Sequence, residues 1–132
     1  MHSKIKGTIG ELAVSKYLYE LNLPVFLELG DTSKVDIITI VNDKPIRIQV
    51  KSFSSKNNRV DIAFKKSGPN YSFKYKETDF DYIATYVPDK NIILWIPSSL
   101  LQNKKSIAIR FNETNYSKKY NSYKDFLQFM QS

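Results

Sequence analysis

Residues 35–53 read Val35-Asp36-Ile37-Ile38-Thr39-Ile40-Val41-Asn42-Asp43-Lys44-Pro45-Ile46-Arg47-Ile48-Gln49-Val50-Lys51-Ser52-Phe53, and this stretch decides the fold. Two runs rich in β-branched residues, 35–41 and 45–53, flank Asn42-Asp43-Lys44. That combination predicts a β-hairpin. A tight turn centred near Asp43 and Lys44 sets Asp36 opposite Lys51, give or take one residue. Side chains alternate between the faces of a strand, so Gln49 and Lys51 point the same way. Paired strands run about 4.8 Å apart. An aspartate, an amide and a lysine therefore converge at one end of a mostly apolar hairpin. The plainer alternative is a cross-strand Asp–Lys pair at a sheet end.

Working towards the N-terminus, residues 7–22 predict a helix. Thr8 is a candidate N-cap, with Glu11 at capping-box spacing. Val14, Leu18 and Leu21 fall on one face, and Asn22 and Pro24 end the helix. Glu11 precedes Val14 by one turn, which puts a carboxylate on the apolar face. A buried, unpaired carboxylate is costly. A metal, a cation or its own capping bond would have to compensate it. Residues 24–29 predict a short strand.

Working towards the C-terminus, residues 60–64 add a strand, and the polar segment 65–79 around Gly68-Pro69-Asn70 reads as a loop. Residues 81–87 and 92–97 form a second strand pair joined by Pro88-Asp89-Lys90-Asn91. Residues 98–102 suit a helical turn and 106–111 a strand. Ser122 caps a helix running to about 131, with Asp125 in the acceptor position and Tyr123, Phe126, Leu127 and Met130 as its apolar stripe. The order is that of an α/β or α+β protein with a helix packed on a mixed sheet. There is no repeat or linker, so residues 1–132 are expected to form a single domain.

The 132 residues are 42% apolar and 25% charged, as in an ordinary globular protein. Twenty Lys and Arg against 13 Asp and Glu give a net charge of +7, a balance that suits a polyanionic partner. There is no cysteine, which excludes disulfides, thiol catalysis and cysteine-ligated zinc. The one histidine, His2, sits at the chain start, so Ser/His nucleophile schemes lack a base. No apolar run resembles a signal peptide or a membrane span, and a cytoplasmic location without membrane contact is expected.

Glu11, Asp36, Gln49 and Lys51 are what phosphodiester hydrolysis uses. Carboxylates hold a hard cation such as Mg²⁺, which polarises a phosphoryl oxygen and acidifies water. A nearby lysine orients or deprotonates that water, or neutralises the transition state.

Asp36, followed after 12 residues by Gln49-Val50-Lys51, resembles the PD-(D/E)XK nuclease signature. Val35 replaces the usual Pro, and Gln49 replaces the acidic residue. The ordered set Lys6-Gly7-Thr8-Ile9-Gly10-Glu11-Leu12-Ala13, Val35-Asp36, Ile48-Gln49-Val50-Lys51-Ser52, Asp79-Phe80-Asp81-Tyr82-Ile83-Ala84-Thr85-Tyr86 and Trp95-Ile96-Pro97 is similar to the group I intron-associated branch. That branch carries Gln in this position. The resemblance implies a restriction-endonuclease-like αβββαβ core and catalysis by Glu11, Asp36, Gln49 and Lys51. It implies Mg²⁺, with Mn²⁺ as a substitute, held by Glu11, Asp36 and the Val50 carbonyl. It also implies a homo-oligomer, a dimer or tetramer, acting on double-stranded DNA. Archaeal-type Holliday junction resolvases rank second, and a non-catalytic DNA-binding module third. Lys4 and Lys6, and Lys65, Lys66, Lys74 and Lys76 with Tyr71, Phe73 and Tyr75 interleaved, are the candidate DNA contacts; a solvated basic face is the alternative. Tyr71, Tyr75, Tyr82, Tyr86 and Trp95 are candidates for stacking on bases, with a core role as the alternative that strand spacing favours, and Asp81 fits a structural role.

Overall fold

The computed structural model describes residues 2–112 and 121–130. In chain order its elements are α1 (Ser3–Glu20), β1 (Phe26–Leu27), β2 (Ile37–Val41), β3 (Lys44–Ser52), β4 (Arg59–Ala63), β5 (Lys65–Gly68), β6 (Tyr71–Lys74), β7 (Tyr82–Val87), β8 (Ile92–Pro97), β9 (Ser106–Arg110) and β10 (Asn121–Ser122). Single 3₁₀ turns lie at Ser98–Leu101 and Tyr123–Phe126.

The hairpin forms, with a tighter turn than expected. Asn42 and Asp43 make a two-residue loop with φ of 51° and 64°. Asn and Asp tolerate this left-handed region, and such loops match the twist of the flanking strands. Lys44 therefore belongs to β3. The register pairs Ile37 with Ile48. Asp36 lies just outside this ladder and bonds to Ile48 and Val50, so it does not stand opposite Lys51.

One sheet runs β1-β2-β3-β7-β8. Its β3–β7 pair is parallel and the others are antiparallel. A second sheet runs β10-β9-β4, and among the described residues β5 and β6 pair only with each other. The α+β expectation of a helix on a mixed sheet holds. The second helix of the αβββαβ plan is not found among the described residues. The crossover from β3 to its parallel neighbour β7 runs through β4, β5 and β6 instead, because this polar stretch has no helical apolar period. The expected loop at 65–79 thus contains the β5–β6 ribbon.

Two apolar layers occupy opposite faces of the five-stranded sheet, as strand alternation requires. Val14 and Leu18 of α1 pack with Ile37, Ile48, Val50, Ala84, Trp95 and Phe129. On the other face Ile83, Leu94 and Ile96 meet Val60, Ile62, Phe64 and Ile109.

Helix α1 starts earlier than expected. His2 is its N-cap, and the imidazole Nδ1 accepts the Lys4 N–H at 3.2 Å. Thr8 lies inside the helix, where its hydroxyl donates to the Lys4 carbonyl at 2.9 Å. The capping box is therefore not made, and Glu11 has no cap to bond. Gly10, Val14 and Leu18 form the buried ridge, whereas Leu21 is the C-cap residue and 47% exposed.

Two other segments differ. The strand expected at 24–29 shrinks to Phe26–Leu27. Ser122 does cap, accepting the Lys124 N–H at 3.3 Å, but only one 3₁₀ turn follows. Phe129 then packs on Trp95, with ring centroids 4.5 Å apart, and Met130 after it has a φ of 53°. The end of the expected helix, from 131, lies outside the described residues.

Candidate active site

A cleft of about 760 Å³ opens at the rim of the large sheet. Its walls are the first turns of α1, the segment 27–31 after β1, the strand ends carrying Asp36, Gln49 and Val50, and Lys66 and Tyr71 from the ribbon.

Asp36 is fixed by main-chain contacts. Its N–H donates to the Ile48 carbonyl at 2.9 Å, one residue off the β2–β3 register. Its carboxylate Oδ2 accepts the Val50 N–H at 2.8 Å. Burial raises its pKa, and the Asp31 charge adds to this; the Val50 bond and the charges of Lys66 and Lys51 oppose it. Glu11 borders the same cleft. Its pKa is also raised, by burial first and then by Asp36 and Asp31. Ionising either group concentrates negative charge in a partly desolvated space.

Gln49 is buried, and its amide Nε2 donates to the Val50 carbonyl at 3.3 Å. Glu11, Asp36, Gln49 and Val50 are thus brought together. Lys51 is not in the cleft wall. Its ammonium donates to the Lys65 carbonyl at 3.1 Å. It sits 5.2 Å from the Tyr75 ring centroid and 5.7 Å from that of Phe53. Burial lowers its pKa and Lys66 lowers it further, while Asp36 pushes it back up. Lys51 and Asp36 therefore interact through their fields, without a hydrogen bond between them.

Of the candidate DNA contacts, Lys4 and Lys66 border the cleft and Lys6, Lys65, Lys74 and Lys76 do not. Lys65 stands directly opposite Lys74 on the ribbon. Like charges in this position repel unless an anion joins them. Tyr75 and Trp95 are core residues and Tyr71 is exposed. Asp81 is occupied: its Oδ2 accepts the Arg47 N–H at 2.8 Å and its Oδ1 the guanidinium at 3.4 Å.

Sequence reasoning missed Asp31. It sits on a loop shaped by Glu28, whose carboxylate accepts the Thr32 N–H at 2.7 Å, the Thr32 hydroxyl at 2.9 Å and the Ser33 N–H at 3.4 Å. Those bonds hold the Glu28 carboxyl below the usual range. The available signal was the polar turn Gly30-Asp31-Thr32-Ser33 just before Val35-Asp36; it has no periodicity to mark it.

The donor set suits a hard divalent cation: the Glu11 and Asp36 carboxylates and the Val50 carbonyl are all oxygen ligands. Among the described residues no three His, Cys, Asp or Glu side chains form a cage by themselves. The main-chain oxygen, water and a phosphate oxygen would have to complete the shell. Among the described residues no helix is long and apolar enough to cross a membrane.

Residues 1–129 match the family model of the PD-(D/E)XK endonucleases. The bacterial homing endonuclease I-Ssp6803I has a similar structure, with a TM-score of 0.75 at 22% identity over 96% of this chain and 88% of that one. The Holliday junction resolvase Hjc of Archaeoglobus fulgidus gives 0.52 at 15% identity over 80% of this chain and 84% of that one. No curated protein matches. At these identities the two structures establish the fold alone. The family match spans almost the whole sequence and coincides with the cleft that joins Glu11, Asp36 and Gln49: the chain belongs to the PD-(D/E)XK endonuclease family, a family of phosphodiester hydrolases.

Proposed function

We propose that this chain is a Mg²⁺-dependent endonuclease that cuts double-stranded DNA at specific sites, as a homing endonuclease does, and works as a homo-oligomer. The observation that carries the reading is the convergence of Glu11, Asp36, Gln49 and the Val50 main chain in one cleft of concentrated negative charge. Glu11, Asp36 and the Val50 carbonyl would hold the ion, with Mn²⁺ able to replace Mg²⁺. When bound, the ion polarises a phosphoryl oxygen and acidifies the attacking water.

The protein groups have separate tasks. The Val50 N–H orients the Asp36 carboxylate. The Gln49 amide steadies the Val50 carbonyl, a bond that a carboxylate at this position could not donate. Lys51 must rotate away from the Lys65 carbonyl to reach a phosphate. Burial eases loss of its proton, so its Nζ is suited to take a proton from water. The net charge of +7 favours association with DNA. A domain of this size covers only part of a long DNA site, which favours more than one copy.

The test is cleavage of mixed-sequence plasmid libraries with Mg²⁺ and mapping of the ends, repeated with Asp36→Asn and Lys51→Ala. Discrete cut sites that vanish in both variants are expected. Equal cutting by all three proteins would refute the assignment. Synthetic four-way junctions of unrelated sequence form a second arm. Junction cleavage with linear duplex left intact would assign shape selectivity instead.

A further inference from the structure

Two lysines flank the reaction centre, and the motif lysine is the one outside the cleft. Lys51 donates to the Lys65 carbonyl and does not contribute to the cleft wall. Lys66, the next residue of the ribbon, does. Its placement follows from strand alternation. Lys66 pairs with Phe73, and Gly68 pairs with Tyr71, so Lys66, Phe73 and Tyr71 share one face of the ribbon.

That face is fixed from beneath. Phe73 is half-buried against the core, Lys34 lies 5.0 Å from its ring centroid, and Tyr71 stacks on it at 6.2 Å. Tyr71 also borders the cleft. Among the described residues the exposed Lys66 side chain has neither an ion pair nor a hydrogen bond. A lysine with no such partner therefore borders the cleft within electrostatic reach of Asp36. Consistent with this, Lys66 acts on Asp36 more strongly than Lys51 does.

We infer that Lys66 is a second catalytic cation, whose ammonium contacts a non-bridging oxygen of the scissile phosphate while Lys51 serves the attacking water. This rests on the endonuclease reading above. Phosphodiester cleavage increases the charge on the non-bridging oxygens in the transition state, so a cation fixed there acts more on rate than on binding. A lysine that only grips the backbone acts on affinity and its salt dependence.

The experiment uses a duplex containing a mapped cut site and compares wild type, Asp36→Asn, Lys66→Met and Lys66→Arg. Met keeps the aliphatic stem on the ribbon. Single-turnover rates are measured at saturating protein, and affinity and its salt slope separately. Lys66→Met is expected to lower the saturated rate about 100-fold, the scale of losing one transition-state donor. Affinity should change only a few-fold, and Lys66→Arg should restore most of the rate. A Lys66→Met variant that cuts within twofold of wild type at saturation, with its defect confined to affinity and salt slope, overturns the inference and leaves the nuclease reading standing. A wild-type chain inert towards DNA overturns both.

Discussion

Replacing Gly10 with alanine tests whether close helix–sheet contact is what positions Glu11. A methyl group at Gly10 would sit 3.2 Å from Ser52 Cβ and 3.4 Å from Val50 Cγ1. Ordinary carbon contacts lie at about 3.5–4.0 Å, so α1 must lift by roughly 0.3–0.8 Å. Ser52 Cβ is attached directly to β3 and cannot rotate away. Overpacking of this kind costs about 1–3 kcal/mol, and exchanging glycine for alanine inside a helix returns about 1 kcal/mol. The net is a loss of roughly 0–2 kcal/mol. For a chain of this size each kcal/mol moves Tm by about 4 °C, so a drop of up to about 8 °C is expected. Cleavage should suffer more than stability. Glu11 is the next residue, and a misplacement of about 1 Å can lower a rate roughly 100-fold. A fall of about tenfold is expected for G10A and a larger one for G10V. Thermal melting and single-turnover cleavage on one preparation check both numbers. If G10A melts within 1 °C of wild type and cuts at the same rate, the contact does not set the position of Glu11.

Asp36→Asn should stabilise the metal-free protein while abolishing cleavage. Burial penalises the charged form of Asp36, so its pKa lies above the ordinary 3.8. For a carboxyl raised on folding, stability is fully present below the unfolded pKa and declines as pH rises through the folded one. Melting in chelator from pH 4 to pH 8 should therefore show the gain of the Asn variant growing with pH. Glu11 is shifted the same way, so the acid limb of cleavage should lie above that of an unperturbed carboxylate pair, and a pH–rate profile reads this directly. Gln49→Glu should tighten Mg²⁺ binding several-fold by calorimetry, through one added negative charge, and weaken the metal-free fold. Asp81→Ala removes the acceptor of the Arg47 N–H at 2.8 Å and should destabilise by about 1–3 kcal/mol in denaturant titration. Most of that loss is the main-chain bond, since the ion pair itself is partly exposed.

The hairpin was legible because its signals agree: β-branched runs, an Asn-Asp turn and a matched pair of polar interruptions. Its register was misread because Lys44 was counted in the turn. Two residues with positive φ suffice, and the resulting register sets Asp36 against Ile48 and Val50 instead of Lys51. Glu11 was legible as an inward carboxylate from its spacing to Val14, yet its capping alternative rested on Thr8. The actual cap is the imidazole of His2, which lies outside the usual set of Ser, Thr, Asp and Asn. The ribbon at 65–74 was read as loop because its strands carry lysines and serines where a strand usually alternates apolar residues; Phe73 anchors it in the core. The C-terminal helix failed for a tertiary reason. After one turn the chain instead places Phe129 in the core cluster, its ring tilted against Trp95. Asp31 had no period to reveal it, since its position follows from hydrogen bonds within a loop.

The glutamine of this site follows from charge and hydrogen bonding together. In the motif it resembles, an acidic residue on β3 supplies a second negative charge beside the aspartate. Here the helix supplies Glu11 and the loop supplies Asp31, and both already act on the electrostatics of the cleft. A further carboxylate at 49 would be buried and would push Glu11 and Asp36 further towards their protonated forms. Glutamine avoids that repulsion. It also donates to the Val50 carbonyl, and Val50 in turn orients Asp36 through its N–H. On the proposed reading the amide would exchange a ligand charge on the strand for control of the strand's main chain, and the charge for a cation would come from elements that flank the sheet. Metal affinity would then depend on how α1 and the 28–33 loop are seated, so substitutions at Gly10 and Glu28 should reach the site indirectly, with smaller effects than substitutions of Asp36 itself.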